Sequence, residues 1–252
     1  MMRSYLWTTR VVRAGGGHAI GRLCAVCVIL VAVTTLPAMA VPTMYSGSLS
    51  VVGGSGDGLL VATQQWNNPA TTLSWVVDNT TTSGKWHYQY TLSVPTKAIS
   101  HILLEVSDAD PGPAFTLDNL FSPATNPANW ISLPAIIQVW TDQQGNPGLP
   151  GPMYGIKFNS AFAATTVVIS FDADRMPVWG DFYAKSGGNP PPLAYNNGFL
   201  LADPTVGPHN GSEQDHLLVP DSMMTVIPAP GAMLLAAMGT CIAGWLRRRK
   251  AL

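Results

Sequence analysis

Cysteine is scarce in this chain of 252 residues, and its placement matters more than its total of three. Cys24 and Cys27 lie in an apolar run near the start and Cys241 in another near the end, so the long stretch between them holds none. That excludes a disulfide scaffold for the middle of the chain, which at about 185 residues is long enough to rely on an ordinary apolar core. Acid is missing from both ends. Arg3, Arg10, Arg13 and Arg22 face no carboxylate in the first forty residues, and Arg247, Arg248, Arg249 and Lys250 face none in the last six. Between Val41 and Val226 the balance reverses, with fourteen acidic residues against five basic ones, a net charge near −9 hidden inside a total of −1. An acidic body repels phosphate backbones, which argues against nucleic acid as a partner.

Catalytic signatures are also lacking. Ser55, in Gly53-Gly-Ser-Gly-Asp57, has no closing glycine in the position a nucleophile elbow needs, and the same run has no lysine to make it a phosphate loop. His87, His101, His209 and His216 show no zinc spacing, and His87 and His101 fall on the polar faces of expected strands, where a solvated imidazole is the default. A glycoside hydrolase needs two carboxylates about 5–10 Å apart across a cleft. With Glu105 and Glu213 as the only glutamates, such a pair would have to draw on aspartate.

What is present at the ends is a pair of apolar runs. Leu23 to Leu36 carries no charge, follows a basic stretch and precedes Pro37-Ala38-Met39-Ala40. Basic region, short apolar region and small-x-small site predict a signal helix over residues 1–40, with Ala38 and Ala40 defining the cleavage site for signal peptidase. Ala232 to Leu246 is a second apolar run, about 22.5 Å long as a helix and so somewhat shorter than a bilayer core. The basic residues 247–252 behind it stay cytoplasmic by the positive-inside rule, which leaves the acidic body outside. Both ends agree on orientation.

The order of Pro228-Ala229-Pro230, apolar span and terminal basic cluster (Arg247, Arg248, Arg249, Lys250) resembles the PEP-CTERM sorting signal of Gram-negative bacteria, also catalogued as an ice-binding-protein C-terminal domain. Here it is the Pro-Ala-Pro-Gly variant, with Ala229 where the namesake motif has Glu. The resemblance covers residues 227–252. It implies an inner-membrane-anchored precursor, recognition by an exosortase-type sorting enzyme, and delivery to the cell surface or extracellular matrix, commonly alongside extracellular polysaccharide. The stretch from Ser100 to Asp221, with Pro177–Gly188 and Ala194–Phe199, is similar to bodies found behind such signals and brings no known activity with it.

In the middle segment, residues 41–226, the period is two. Lys85 to Val94 reads KWHYQYTLSV, with Trp86, Tyr88, Tyr90, Leu92 and Val94 on one face. That alternation marks a strand with one face in a core. Leu73–Val77 is its expected hairpin partner through a polar Asp78–Gly84 turn. Further strands are expected at Tyr45–Val52, Leu59–Ala62, Ile99–Val106, Ala135–Thr141, Tyr154–Phe158, Thr165–Phe171, Trp179–Ala184 and His216–Val219, with loops at Asp108–Pro113, Gln143–Pro152 and Ser186–Asn197. About ten short strands, no helical periodicity and no internal repeat predict an all-β, antiparallel β-sandwich of jelly-roll type, flanked by the signal helix and one C-terminal transmembrane helix.

Two further features bear on ligands. Asp108-Ala-Asp110 and Asp172-Ala-Asp174 each follow an apolar strand and open a loop, so Asp108, Asp110, Asp172 and Asp174 are candidate ligands for a structural calcium, although aspartate in such places also initiates turns. No other cofactor is expected. Trp66 and Trp130, flanked by Asn and Pro, are the expected exposed aromatics for stacking on sugar, the other large aromatics being core. The reading that results is an exported, surface-sorted, non-enzymatic protein, structural or adhesive in an extracellular polysaccharide matrix. Its alternative is a carbohydrate-binding module or an ice-binding-type adhesin, and a secreted glycoside hydrolase ranks behind both.

Overall fold

The computed structural model describes residues 42–106 and 114–224. They belong to a compact unit that runs from Ala40 to Val226. Among them lie thirteen strands: β1 Met44–Ser50, β2 Gly58–Ala62, β3 Thr72–Asp78, β4 Trp86–Ser93, β5 Ile99–Glu105, β6 Leu120–Asn126, β7 Ile131–Trp140, β8 Met153–Ser160, β9 Thr166–Ala173, β10 Arg175–Gly180, β11 Phe182–Ser186, β12 Leu193–Asn196 and β13 Leu217–Met224. Two 3-10 turns, Gln64–Trp66 and Leu117–Asn119, are the described helical elements. No helix of the described residues is long and apolar enough to cross a membrane, and the expected signal and anchor segments lie outside them. The described residues are all-β.

Eleven strands form one nearly closed sheet in the order β6-β9-β4-β3-β1-β2-β12-β11-β5-β8-β7, while β10 and β13 make a separate two-stranded ribbon. The alternation in β4 is what the sequence predicts: Tyr88, Tyr90 and Leu92 are buried, and the residues between them are half-buried on the other face. β3 is the hairpin partner, and the turn between them is fixed by Asp78, whose carboxylate accepts from the Thr80 and Thr81 N–H groups at 2.7 Å each. Register then lines up apolar rows across strands. Val77, Tyr88 and Phe171 form one row and Trp75, Tyr90 and Ile169 the next. A slip of one residue would turn every one of these side chains to solvent.

Those rows meet their counterparts because the sheet curls until its halves face each other. Phe158 of β8 stacks with Phe171 of β9 at 6.1 Å between centroids, although the two strands are not neighbours in the sheet. One core cluster accordingly joins Trp75, Tyr88, Tyr90 and Phe171 with Ile102, Leu104, Ile156, Phe158 and Phe182. The ribbon lies against this core: the Tyr88 hydroxyl donates to the Arg175 carbonyl and the Tyr90 hydroxyl to the Leu218 carbonyl, both at 2.8 Å. Close packing sets one glycine. A Cβ on Gly47 would stand 2.2 Å from the Trp75 ring it faces across β1 and β3.

Several expectations are corrected. β12 lies inside the stretch Ser186–Asn197 read as loop, and β6 was not foreseen. Trp179–Ala184, read as one strand, is broken at Asp181 between β10 and β11, which pair with different partners. β1 and β2 pair in parallel within an otherwise antiparallel sheet. Trp66 and Trp130 are both wholly buried, because the turns that carry them expose their Asn and Pro neighbours while the indoles point inward. The Trp66 Nε1–H is accepted by the Thr96 carbonyl at 2.8 Å. They are core, not a sugar platform.

His101 is corrected as well. It is buried at 3% exposure beside Tyr183, with its Nε2 lacking a hydrogen-bond partner. Burial, reinforced by the Lys157 and Lys185 charges and opposed by the Asn146 side chain, depresses its pKa from 6.5 to about 3. The folded state therefore binds fewer protons than the unfolded state between those two values, so this group's contribution is fully present above pH 6.5 and is lost as pH falls. Lowering the pH from 6.5 to 4 should cost the wild type roughly 3 kcal/mol at this site. The difference in unfolding free energy between wild type and His101→Leu, measured in urea across that range, should shrink or reverse by that amount. An unchanged difference would show that His101 is protonated where it lies.

Candidate metal centre

The break between β10 and β11 positions an ionisable group inside the core. Asp181 follows Gly180, and its backbone is clamped by Glu105: the Asp181 N–H donates to Glu105 Oε2 at 2.7 Å, and the Glu105 N–H donates to the Asp181 carbonyl at 2.9 Å. The side chain is held by Asn196 of β12, which donates to Asp181 Oδ1 at 2.7 Å while its own Oδ1 accepts the Phe182 N–H at 2.9 Å. Asp181 is 6% exposed and Asn196 fully buried. Burial raises the Asp181 carboxyl from 3.8 to about 7, with the Asn196 hydrogen bond pulling it down and the Asp203 charge pushing it up. Among the described residues no Lys or Arg forms an ion pair with it; the ring of His216 stands 3.5 Å away.

Two residues from the β12–β13 connection converge on it. His216 enters β13 and is fully buried. Its Nδ1 lies 3.2 Å from the Glu213 carbonyl oxygen. A carbonyl only accepts, so Nδ1 carries a proton, and Nε2 is the ring atom turned toward the carboxylates. That Nε2 has no hydrogen-bond partner and stands 3.5 Å from Asp181 Oδ1 and 3.5 Å from Asp203 Oδ1. The ring is seated by Gly198, where a Cβ would come within 2.6 Å of His216 Cε1. Asp203 is 49% exposed at its side chain, and burial of the rest raises its pKa, against the attraction of His216. The connection is tied down by the Trp179 Nε1–H, which donates to the Val206 carbonyl at 3.0 Å. One donor atom from each of Asp181, Asp203 and His216 falls within 4.8 Å of the others, and among the described residues this is the one such group of three. These three residues could hold a metal ion.

The predicted calcium ligands are placed differently. Asp172 lies at the end of β9, where its carboxylate meets His87 Nδ1 at 2.7 Å and accepts from the Thr82 hydroxyl at 2.9 Å. Asp174 accepts from Asn119 Nδ2 at 3.0 Å and lies 3.4 Å from Arg175 Nε. Their oxygens face separate sets of donors, so the fold does not bring this pair together as a cation cage. Asp108 and Asp110 lie outside the described residues, as do Ala38, Ala40, Pro228, Ala229, Pro230 and the cluster Arg247–Lys250. His87, expected in solvent, is half-buried against Asp172. A shallow groove of about 470 Å³ between the Leu117–Asn119 turn and β7, lined by Asp118, Ile136, Ile137 and Tyr154 among others, lies apart from the Asp181 cluster.

Sequence reading passed over Asp181 and Asp203 and set His216 aside for want of zinc spacing, because separations of 22 and 13 positions match no local motif. One signal was there. Asp181 interrupts the run Val178-Trp-Gly-Asp-Phe-Tyr183, and a carboxylate inside an apolar strand pattern requires either a partner or a purpose. Comparison with protein-family models, curated proteins and solved structures finds no match to this chain.

Asn196 is the positioning residue of this cluster. Asn196→Ala would leave the Phe182 N–H without its acceptor and Asp181 without its donor, at an expected cost of roughly 2–3 kcal/mol. Chemical denaturation checks this; a loss below about 0.5 kcal/mol would mean that water replaces the amide fully.

Proposed function

We propose that the chain is an exported, surface-sorted, non-enzymatic protein that serves as a structural or adhesive component of an extracellular polysaccharide matrix, its body an antiparallel sandwich of jelly-roll type carried between a signal helix and a C-terminal membrane helix. The observation that supports this reading is the position of the compact unit. It runs from Ala40 to Val226, within one residue of the acidic, cysteine-free stretch Val41–Val226 between the two basic-flanked apolar segments. A body held by an apolar core and not by thiols suits an oxidising exterior as well as a reducing interior. The sorting-signal resemblance supplies the membrane stage and the surface destination.

Fractionation of cells expressing the full chain tests the address. The expected product begins at Val41 and is found in the membrane or outside the cell, and removal of residues 227–252 should release the body into the medium. A soluble cytosolic product that keeps Met1 would overturn the reading. The matrix role is tested separately by retention of the full chain on extracellular polysaccharide isolated from its host; failure to be retained on any fraction would contradict it.

A further inference from the structure

His216 Nε2 is a buried nitrogen without a hydrogen-bond partner, and the atoms facing it are carboxylate oxygens. A buried ring nitrogen left without a hydrogen bond and set against two carboxylate oxygens calls for a positive centre between them. The distances say what that is. At 3.5 Å both contacts are longer than an N–H···O hydrogen bond, which centres near 2.9–3.0 Å. They match the edge of a tetrahedron about 3.4 Å long that bonds of about 2.0–2.1 Å to a central ion would give. Calcium prefers six to eight oxygens at longer range and no nitrogen, whereas one imidazole with two carboxylates suits a borderline first-row ion. We propose that Asp181, Asp203 and His216 form a binding site for one divalent ion of the zinc class, which pins the β12–β13 connection to the sheet.

The surroundings fit that role. Nδ1 of the ligand histidine hydrogen-bonds to a backbone carbonyl, the outer-sphere contact that fixes the metallated tautomer. Asn196 orients the buried carboxylate from the other side. Two acidic ligands would neutralise a dication. The connection from Asn197 to His216 has no named strand or helix, and connections of such length are uncommon in compact domains unless they serve a function. In a body without cysteine, a metal bridge from Asp203 and His216 to Asp181 closes this loop where a disulfide cannot. Asp203 is half-exposed, so the fourth coordination position faces solvent and would be filled by water. The inference does not depend on the chain's being exported.

The test uses the full chain in detergent with Cys24, Cys27 and Cys241 replaced by serine, so that thiols contribute nothing, after stripping with chelator. Titration with Zn²⁺ should show one saturable site, raise the thermal midpoint, and be competed by Mn²⁺ or Co²⁺ far better than by Ca²⁺. Asp203→Asn, at a half-exposed position, should weaken Zn²⁺ binding by at least roughly a hundredfold, since loss of a mere outer-sphere contact costs 10–100-fold. Asp181→Asn, which keeps the Oδ1 acceptor for Asn196 and removes a buried charge, should do the same while leaving the metal-free midpoint unchanged or higher. Binding that is absent in the cysteine-free chain, unchanged in both variants, or matched by Ca²⁺ would overturn the assignment.

Discussion

The structure depends on one core shared by both halves of a single sheet. Strands at the β6 end and strands at the β7 end bury the same apolar interior, and the stack of Phe158 on Phe171 joins them where no backbone pairing does. Burial of this kind is worth about 25 cal/mol per Å² of apolar surface, and each large aromatic contributes 150–250 Å². Separation of the halves would expose Tyr88, Tyr90, Phe158 and Phe171 together. Curling is thus forced by composition: with 11% charged residues in the chain, both apolar faces cannot be left to water.

The same closure explains where polar chemistry collects. Strands whose faces must stay apolar push ionisable residues to their ends and connections. Asp181 stands at such an end, in the break that lets β10 pair with β13 and β11 pair with β5 and β12. The break leaves a carboxylate inside, and the Glu105 and Asn196 side chains hold it in one orientation. A buried carboxylate raised to about 7 and a buried imidazole nitrogen without a hydrogen bond are each unfavourable alone. They become a matched set once a cation is shared between them, which is the thermodynamic logic of a site that stores its cost in the apo state.

Much of this was legible in the sequence. The alternation from Trp86 to Leu92 and in Leu73–Val77 fixes strands, faces and a hairpin, because period two and polar turn residues are local signals. Where sequence reasoning failed, the deciding contacts are distant. Leu193–Asn196 is too short to show a period and becomes a strand only because β2 and β11 flank it. Trp66 and Trp130 sit among polar neighbours, and nothing local reveals that the indoles turn inward. His101 occupies a polar slot of its strand, yet Tyr183, from a strand far along the chain, covers it. The Asp181 cluster is assembled from two strand ends and a loop, which no spacing rule anticipates.

One core makes both halves a single cooperative body. Native-state hydrogen exchange on the full chain tests it most directly. The amides of Tyr88 and Tyr90 in β4, Ile169 in β9, and Ile156 and Phe158 in β8 should exchange with one common free energy equal to that of global unfolding. Two distinct free energies, one for the β9-β4-β3 side and one for the β5-β8-β7 side, would contradict it.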